Sequence, residues 1–451
     1  MRTVKNRIFI SVISLISVFA LCLSLGSCTI RLGSYSLGGD SGQSLEDWLN
    51  GDSSAQNDST TSSSAAGKPA SVFTDIPDQN SGGGTTIKVE GSGDNSVEYA
   101  VAKGLTSSVS VVAAFKSSSG TWGSTSSGAA AGSGVILKLD KELGNALIMT
   151  NYHIVYNESS RTGDISDDIK VYLYGSESYL TSKDDPMAIP ATYVGGSMKY
   201  DLALLYVEGN ELLKKSVATA VTITDSDQVR VGQTVLAIGN PGAEGLAVTK
   251  GIISKESESI VLDAVDNTSA IAMRVIRIDA PINSGNSGGG VFDTSGNLVG
   301  IVNAKSVETN VDNIGYAIPS NVIRAIADNI IYYCVGNTNK QVKRVLLGVT
   351  VTAASSYAKL DPETGLIDIC ENVMIESVNS DAAAKGILKE GDILRTITLR
   401  DKTIEINRTY HVVDFMLDAR VGDTVTLTIE RDGETKTVSI TLTEKSLTTV
   451  E

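Results

Sequence analysis

After Val97 the sequence consists of short apolar runs that are separated by Gly, Asn, Asp or Ser. The runs are rich in Val, Ile and Leu, and they include VSVVAAF, GVILKL, ALIMT, IKVYLY, LALLYV, TVLAIG, VIRI, LVGIV and IGYAI. Many short runs with turn residues between them are typical of an all-β sandwich or barrel. The chain is therefore predicted to be mainly β.

One segment, PSNVIRAIADNIIYYC, departs from this pattern, and it follows the last of these runs. Ser320 is a suitable N-cap residue for a helix. The apolar residues that follow it recur at helical spacing, at Val322, Ile323, Ile326, Ala327 and Ile330. We predict that this helix closes a first domain, residues 97–334.

A second β-rich unit follows the short linker GNTNKQ. Its candidate strands are LLGVTV, NVMIESV, GDILRTITL, TVTLTIER and TKTVSITL, and its candidate helices are SDAAAKGIL and RTYHVVDFML. This composition predicts a separate small domain over residues 342–446.

The N-terminus, residues 1–28, has the features of a targeting segment. Arg2, Lys5 and Arg7 precede a long uncharged apolar stretch that ends in LSLGSC. The Leu-x-small-Cys ending resembles a bacterial lipoprotein signal, in which Cys28 would be lipidated. An uncleaved anchor helix and a simply cleaved signal are the alternatives. All three interpretations place the remaining chain outside the cytoplasm, and the first two attach it to the membrane of a bacterial cell envelope.

Residues 29–96 are dominated by Ser, Gly, Asp, Asn and Thr, as in GDSSAQNDSTTSSSAAGKPA. Apolar residues are too sparse there to offset the chain entropy that folding removes. We therefore predict a disordered tether between the membrane and the folded domains.

Charge and cysteine content exclude several classes of partner. The formal net charge of −15 argues against nucleic acid, because a phosphate backbone requires a basic surface. With two histidines in the chain and no H-E-x-x-H motif, neither a metal site nor another cofactor is expected. Outside the targeting segment only Cys334 and Cys370 remain, and we do not expect them to form a disulfide.

Three residues beside predicted strands carry candidate chemistry. His153 follows the strand ALIMT, Asp201 precedes LALLYV, and Ser287 lies in the glycine-rich run INSGNSGGGVF. Taken alone, each has an ordinary structural explanation: a packed histidine, a turn aspartate and a loop serine. Together they occur in the order base, orienting acid and nucleophile that chymotrypsin-like enzymes use.

The residues of several longer motifs also resemble those of a known protein family. TNYHIV, YDLALL and INSGNSGGGVF, together with GSGVIL, AIGNPGAEGLAVTKGIIS and NIGYAIPS, closely resemble the trypsin-like core of the HtrA/DegP family. LLGVTV, VMIESVNSDAAAKGILKEGDIL and VGDTVTLTIERDG then resemble the PDZ domain that follows it in that family. The resemblance implies a chymotrypsin-like double β-barrel followed by one β-rich PDZ domain with two helices.

The resemblance also implies roles for single residues. Ser287 would be the nucleophile, His153 the general base and Asp201 the residue that orients the imidazole. The backbone N–H groups of Gly285 and Ser287 would form the oxyanion hole, with Asn286 setting the turn between them. The family usually has a proline where this chain has Gly290, and proline fixes φ whereas glycine frees it. We therefore expect a more mobile turn here.

In the second domain, the resemblance places the loop that binds a peptide carboxylate at Leu346, Leu347, Gly348 and Val349. The function it implies is that of a membrane-tethered extracytoplasmic serine endopeptidase that cleaves unfolded or damaged proteins, acts as a homotrimer, and responds to C-terminal peptides at the PDZ domain. Two alternatives remain: a regulatory protease that makes one specific cut in a membrane partner, and a catalytically silent peptide-binding or chaperone module.

Overall fold

The short apolar runs of the first domain form two closed six-stranded barrels in the described part of the chain. The structure is a computed structural model. It describes residues 44–50, 97–116, 127–157, 165–176, 185–266, 270–303, 314–337, 340–362 and 364–450. The predicted targeting segment with Cys28, and most of the predicted tether, lie outside these residues. None of the helices in the described ranges is long and apolar enough to cross a membrane.

The first barrel has the strand order β1-β2-β3-β6-β5-β4, and β4 pairs with β1 to close it. Every residue of β3 and β6 is buried, which explains why ALIMT and LALLYV are continuously apolar instead of alternating. Its strands are β1 Ser108–Lys116, β2 Ser127–Asp140, β3 Asn145–Thr150, β4 Asp168–Leu173, β5 Ile189–Ser197 and β6 Leu202–Val207.

The second barrel has the order β10-β11-β12-β9-β8-β7 and is closed by pairing of β10 with β7. Its strands are β7 Thr234–Gly239, β8 Ala247–Asp263, β9 Ala270–Ile278, β10 Gly290–Phe292, β11 Leu298–Val302 and β12 Gly315–Pro319. The predictions of a mainly β fold and of a double barrel are therefore confirmed.

In chain order, helix α2 precedes the first barrel, α3 lies between two of its strands, α4 lies between the barrels, and the longer α5 closes the domain. They are α2 Val97–Thr106, α3 Tyr152–Val155, α4 Glu211–Lys215 and α5 Ser320–Cys334. The predicted closing helix is α5, although Pro319 occupies its N-cap position and Ser320 is the first helical residue. The Ser320 hydroxyl donates to Thr224 O instead of capping the helix.

Within residues 44–50, the described part of the predicted tether, the chain forms a helix and is not disordered as expected. Helix α1, Leu45–Asn50, packs Trp48 into the apolar core of the barrels with 8% of its surface exposed. Its ring lies 5.8 Å from the ring of Tyr206, and its Nε1 donates to Asp140 Oδ2 at 3.3 Å. A single large aromatic side chain holds α1 on the barrel, because its burial outweighs the polar composition around it.

The second domain is built on one mixed-length antiparallel sheet with the order β14-β15-β16-β18-β19, with β17 paired to β16. A separate pair, β13 and β20, joins the two ends of the domain. The strands are β13 Lys343–Val345, β14 Val349–Leu360, β15 Ile367–Val378, β16 Ile393–Leu399, β17 Lys402–Glu405, β18 Thr424–Arg431, β19 Glu434–Thr441 and β20 Leu447–Thr449. The strand β20 lies beyond the predicted boundary at residue 446.

One of the two helices predicted for this domain forms and the other does not. RTYHVVDFML contains α6, Thr409–Phe415, which continues into a 3₁₀ turn. The predicted helix SDAAAKGIL is instead a series of reverse turns, with Gly386 at φ +79°. The segment begins on a turn that is bonded to the loop before β14, because Asn379 N–H donates to Gly348 O at 2.9 Å. That tertiary contact overrides the helical propensity of the alanines.

Cys334 and Cys370 are both buried. Cys334 lies in α5 beside Gly195, and its thiol contacts Lys340 O at 3.2 Å. Cys370 lies in β15 of the second domain, where it pairs with Tyr357 across the sheet. The two cysteines therefore lie in different domains.

Candidate active site

His153 is presented by α3, a single helical turn that follows β3. Its neighbours Tyr152, Ile154 and Val155 are buried and fix the turn against the first barrel. The His153 side chain keeps 21% of its surface exposed. The apolar sequence around the histidine thus holds the backbone rigid while the imidazole faces the cleft between the barrels.

Asp201 lies in the turn before β6 and has an unusual backbone. Its φ is +48°, a left-handed conformation that non-glycine residues adopt rarely, and Asp is among those that tolerate it best. Its side chain is 2% exposed. Its carbonyl accepts from Asn151 Nδ2 at 2.8 Å and from Tyr152 N–H at 3.2 Å. These bonds hold the strained turn in place, as is common at functional sites.

The structure brings His153 and Asp201 into direct contact. Asp201 Oδ2 lies 2.7 Å from His153 Nδ1, and Asp201 Oδ1 accepts from the His153 backbone N–H at 3.0 Å. A carboxylate at Nδ1 requires the proton on that nitrogen, which leaves Nε2 as the acceptor. The pair is therefore arranged to take a proton at Nε2 and to stabilise the resulting imidazolium.

Ser287 lies in the turn between β9 and β10, and 5% of its surface is exposed. The turn packs on the first barrel: Ser133 N–H donates to Ser287 O at 2.8 Å. Gly288, with φ +80°, comes so close to the end of β3 that an added Cβ would lie 2.6 Å from Thr150 Oγ1. Thr150 is the last residue of β3 and lies three residues before His153. The serine turn therefore packs against the same strand end that leads into the histidine turn.

Of the five backbone N–H groups of the Ser287 turn, three donate a hydrogen bond and two have no acceptor among the described residues. Asn286 N–H donates to Asn283 O, Gly288 N–H to Val302 O, and Gly289 N–H to Asn286 O. The N–H groups of Gly285 and Ser287 donate to no acceptor among the described residues. Buried amides are rarely left unpaired, so two of them in one turn indicate a site for an external acceptor such as an oxyanion. Asn286 sets the turn between them.

The remaining contact of a Ser-His-Asp arrangement, between Ser287 and His153, is not formed in this structure. Within the described ranges, the Ser287 hydroxyl and the His153 ring share no hydrogen bond. Such contacts are often long without a substrate and shorten when one binds. The arrangement therefore consists of a preformed His153–Asp201 pair and a separate serine turn.

Gly290 does not lie in a loose loop. It is the first residue of β10 and pairs with Ile238 of β7 and Ile301 of β11. A Cβ added to it would lie 2.4 Å from Cζ of Phe292. The Phe292 ring therefore occupies the space that a proline side chain would need. Gly290 is a paired strand residue, in contrast to the expected mobile turn.

The predicted carboxylate loop precedes the edge strand β14. Gly348 has φ +74°, and an added Cβ would lie 2.3 Å from Cβ of Ala382. Leu346 N–H donates to Ser446 O, whereas the N–H groups of Leu347 and Gly348 have no acceptor in the part of the chain that the structure describes. These two amides, followed by Val349 at the exposed edge of the sheet, are suited to hold a peptide carboxylate.

The second histidine, His411, lies on α6, far along the chain from the His153–Asp201 pair. Its Nδ1 lies 3.1 Å from Glu405 O. Burial lowers the pKa of His411, and the nearby Asp227 carboxylate opposes that shift only in part. No cluster of three or more His, Cys, Asp or Glu within the described ranges has the arrangement of a metal site.

Sequence comparison identifies the two domains. Residues 132–301 match the family model described as trypsin-like peptidase domain, and residues 345–442 match the model described as PDZ domain. The chain is similar to the serine protease Do-like HtrA of Bacillus subtilis, with 34% identity over 343 residues, 73% of this chain and 68% of the relative.

Two further relatives show the same similarity. The serine protease Do-like HtrB of Bacillus subtilis is 33% identical over 321 residues, 70% of this chain and 62% of its own length. The periplasmic serine endoprotease DegP of Escherichia coli is 31% identical over 329 residues, 71% of this chain and 59% of its own length. The chain thus spans less than two thirds of both of these relatives.

Proposed function

The chain belongs to the HtrA family of serine proteases, and we propose that it is a serine endopeptidase whose catalytic residues are Ser287, His153 and Asp201. The observation that carries the proposal is the His153–Asp201 contact at 2.7 Å beside a serine turn with two unpaired amides. Peptide-bond hydrolysis needs this combination of a base, a nucleophile and an oxyanion site.

In the proposed reaction, Ser287 Oγ attacks the carbonyl carbon of the scissile bond while His153 Nε2 takes its proton. The carbonyl oxygen becomes negative and is bound by the N–H groups of Gly285 and Ser287. Asp201, held in the cleft by its bonds to Asn151 and Tyr152, stabilises the imidazolium. His153 then donates the proton to the leaving amine, and water releases the acyl group from Ser287 by the same steps in reverse.

We propose that the enzyme acts outside the cytoplasm, attached to the membrane by its N-terminus, on unfolded or damaged proteins. The apolar N-terminal stretch and its LSLGSC ending support the location. The relative in Escherichia coli is named a periplasmic endoprotease, in agreement with an extracytoplasmic site. We further propose that it assembles as a homotrimer.

The PDZ domain is proposed to tune this activity by binding the C-terminal carboxylate of a peptide at Leu347 and Gly348. The exposed edge of β14 supports this role, because an extended peptide can add to it as a further strand. Peptides with a free carboxylate are expected to change the rate of casein cleavage, whereas the same peptides with an amidated C-terminus are not. Equal effects of both forms would contradict carboxylate recognition.

The catalytic proposal is tested with the full-length chain and casein. Ser287→Ala is expected to lower the rate by on the order of 10⁶, since the nucleophile is removed. Ser295→Ala, in the turn between β10 and β11, removes a serine hydroxyl outside the site and serves as the matched control. Undiminished cleavage by Ser287→Ala would refute the assignment. A fragment that begins at Val97 is unsuitable, because it would lack α1 and the buried Trp48.

A further inference from the structure

Ser133, in the GSGVIL run, connects the Ser287 turn to two other segments, those of Asn240 and Thr150. It lies in β2 and is fully buried. Its N–H donates to Ser287 O at 2.8 Å, and its hydroxyl donates to Gly285 O at 2.9 Å. The same hydroxyl accepts from Asn240 N–H at 2.8 Å, and Ser133 O accepts from Thr150 Oγ1 at 2.7 Å. One residue of the first barrel thus bonds to two segments of the second barrel, Gly285–Ser287 and Asn240, and to the end of β3.

The direction of an amide N–H follows from the carbonyl of the same peptide, because the two point in opposite directions across a trans bond. Gly242 N–H binds Ser284 O at 3.1 Å, which turns the Gly285 N–H the other way. Gly289 N–H binds Asn286 O at 2.9 Å and so directs the Ser287 N–H. A hydrogen bond to the carbonyl oxygen of the same peptide group therefore sets the direction of each unpaired N–H group.

The middle peptide of the turn, between Gly285 and Asn286, is held by the Ser133 hydroxyl. The carbonyl of Gly285 accepts from it and, at 3.3 Å, from Asn240 N–H. Because Asn240 N–H also donates to Ser133 Oγ, the hydroxyl closes a ring of three hydrogen bonds. Asn240 begins the 3₁₀ turn that contains Gly242, whose N–H holds Ser284 O. Loss of the hydroxyl would remove the shorter bond to Gly285 O and one acceptor of Asn240 N–H, and so would loosen the peptide and the turn that flank the Gly285 amide.

We propose that Ser133 is a positioning residue for the oxyanion site: its hydroxyl fixes the Gly285–Asn286 peptide and the Asn240–Gly242 turn, and so aims the Gly285 N–H at the developing negative charge. The inference rests on the proposed function. Ser133 does not touch the substrate, and it acts only through the backbone that it holds.

Ser133→Ala in the full-length chain is the test, and Ser110→Ala is its matched control. Ser110 faces Ser133 across the β1–β2 pair and is equally buried, but its hydroxyl has no hydrogen-bond partner among the described residues. Removal of one oxyanion donor costs about 10²–10³ in kcat. In Ser133→Ala both donors remain but are displaced, so we expect a loss of about tenfold to 100-fold in kcat per titrated active site, with KM unchanged.

A peptide aldehyde gives a second readout that a purely structural role would not change. Its adduct with Ser287 carries an oxyanion, so its affinity for Ser133→Ala should fall by the same factor as kcat. The affinity of the cleaved product, which has no such charge, should stay constant. Ser110→Ala should leave all three quantities unchanged.

If Ser133→Ala does not fold, the pair Ser133→Thr and Ser133→Val replaces it, because the two side chains have similar volume and only threonine has the hydroxyl. Threonine should retain at least tenfold more kcat than valine. Equal kcat in this pair, or equal kcat in Ser133→Ala and Ser110→Ala, would overturn the inference. Absence of Ser287-dependent cleavage in the wild type would instead overturn the proposed function.

Discussion

Asp201 accepts two hydrogen bonds from His153, one from the ring Nδ1 at 2.7 Å and one from the backbone N–H at 3.0 Å. The second bond fixes the position of α3 relative to the carboxylate, and the first fixes the ring. The aspartate therefore orients the whole histidine residue. Its left-handed backbone is what allows both oxygens to face α3 from the start of β6.

Asp201→Asn is predicted to lower kcat by about 10⁴ while the fold is retained. Asparagine tolerates φ +48° as well as aspartate does, so the turn should keep its shape. Its amide would favour the wrong imidazole tautomer. Initial rates on casein and a thermal melt provide the measurements, with Asp432→Asn, at φ +56° in the exposed turn between β18 and β19, as control. Full activity in Asp201→Asn would contradict the proposed role.

Gly290→Pro is predicted to destabilise the protein, although proline is usual at this place in the family. The Phe292 ring lies 2.4 Å from the position of an added Cβ. Overpacking of this kind costs about 1–3 kcal/mol. Phe292→Leu should remove the clash, so the double variant should be more stable than the sum of the single changes predicts. Urea unfolding of all four chains measures the coupling, and simple additivity would show that the two positions are independent.

Arg274→Met is predicted to weaken the contact between the PDZ domain and the barrels. Arg274 of β9 pairs with Asp227 at 2.8 Å and with Asp414 of α6, and its guanidinium lies 3.5 Å from the Tyr410 ring centroid. Arg274 and Asp414 are each 10% exposed. Removing one partner of such a buried pair costs about 3–5 kcal/mol.

We expect calorimetry to show a lower unfolding temperature in Arg274→Met than in the wild type. Arg395→Met is the control, because Arg395 pairs with Glu430 on the exposed face of the PDZ sheet, where such pairs contribute about 0.2–1 kcal/mol. Unfolding of Arg274→Met at the wild-type temperature would show that this contact does not join the domains.

The PDZ domain is predicted to lose stability in acid through Asp392. Burial alone would raise the pKa of Asp392, but hydrogen bonds from Arg431 and from Lys389 N–H lower it. A carboxyl group with a lowered folded pKa stabilises the native state above its unfolded pKa, about 3.9. That contribution disappears as pH falls through the lowered folded value.

The urea midpoint of the PDZ domain should therefore fall below about pH 4, and Asp392→Asn should make this part of the pH dependence disappear. Asp401→Asn, at an exposed turn, should retain the wild-type profile. An identical acid profile in the wild type and in Asp392→Asn would exclude this carboxylate as the source.

The barrel strands could be predicted because each apolar run is bounded by turn residues, and because the runs of β3 and β6 are buried throughout. The segment SDAAAKGIL was wrongly predicted to be a helix, because Asn379 directly before it bonds to Gly348, which is distant in sequence, and the segment folds into reverse turns. Helix α1 was not predicted either: nothing in the polar residues around Trp48 indicates the ring of Tyr206 against which it packs.

At the candidate site, sequence order alone singled out His153, Asp201 and Ser287, because three chemically matched residues in one order seldom have separate explanations. The family resemblance also indicated the backbone N–H groups of Gly285 and Ser287 as the oxyanion hole. Ser133 was missed, although a serine between two glycines at a strand was a possible signal. Its importance depends on hydrogen bonds to Gly285 and Asn240, which no spacing in the chain reveals.

The sequence by itself determined a mainly β chain, its family and the side chains available for chemistry, because these follow from local apolar patterning and from motif identity. Only the tertiary structure decided how those side chains are held. The left-handed turn at Asp201, the paired strand position of Gly290 and the two amides without acceptors in the described residues arise where the barrels meet. Their geometry depends on close packing and hydrogen bonds between distant segments, which act only after the chain has folded.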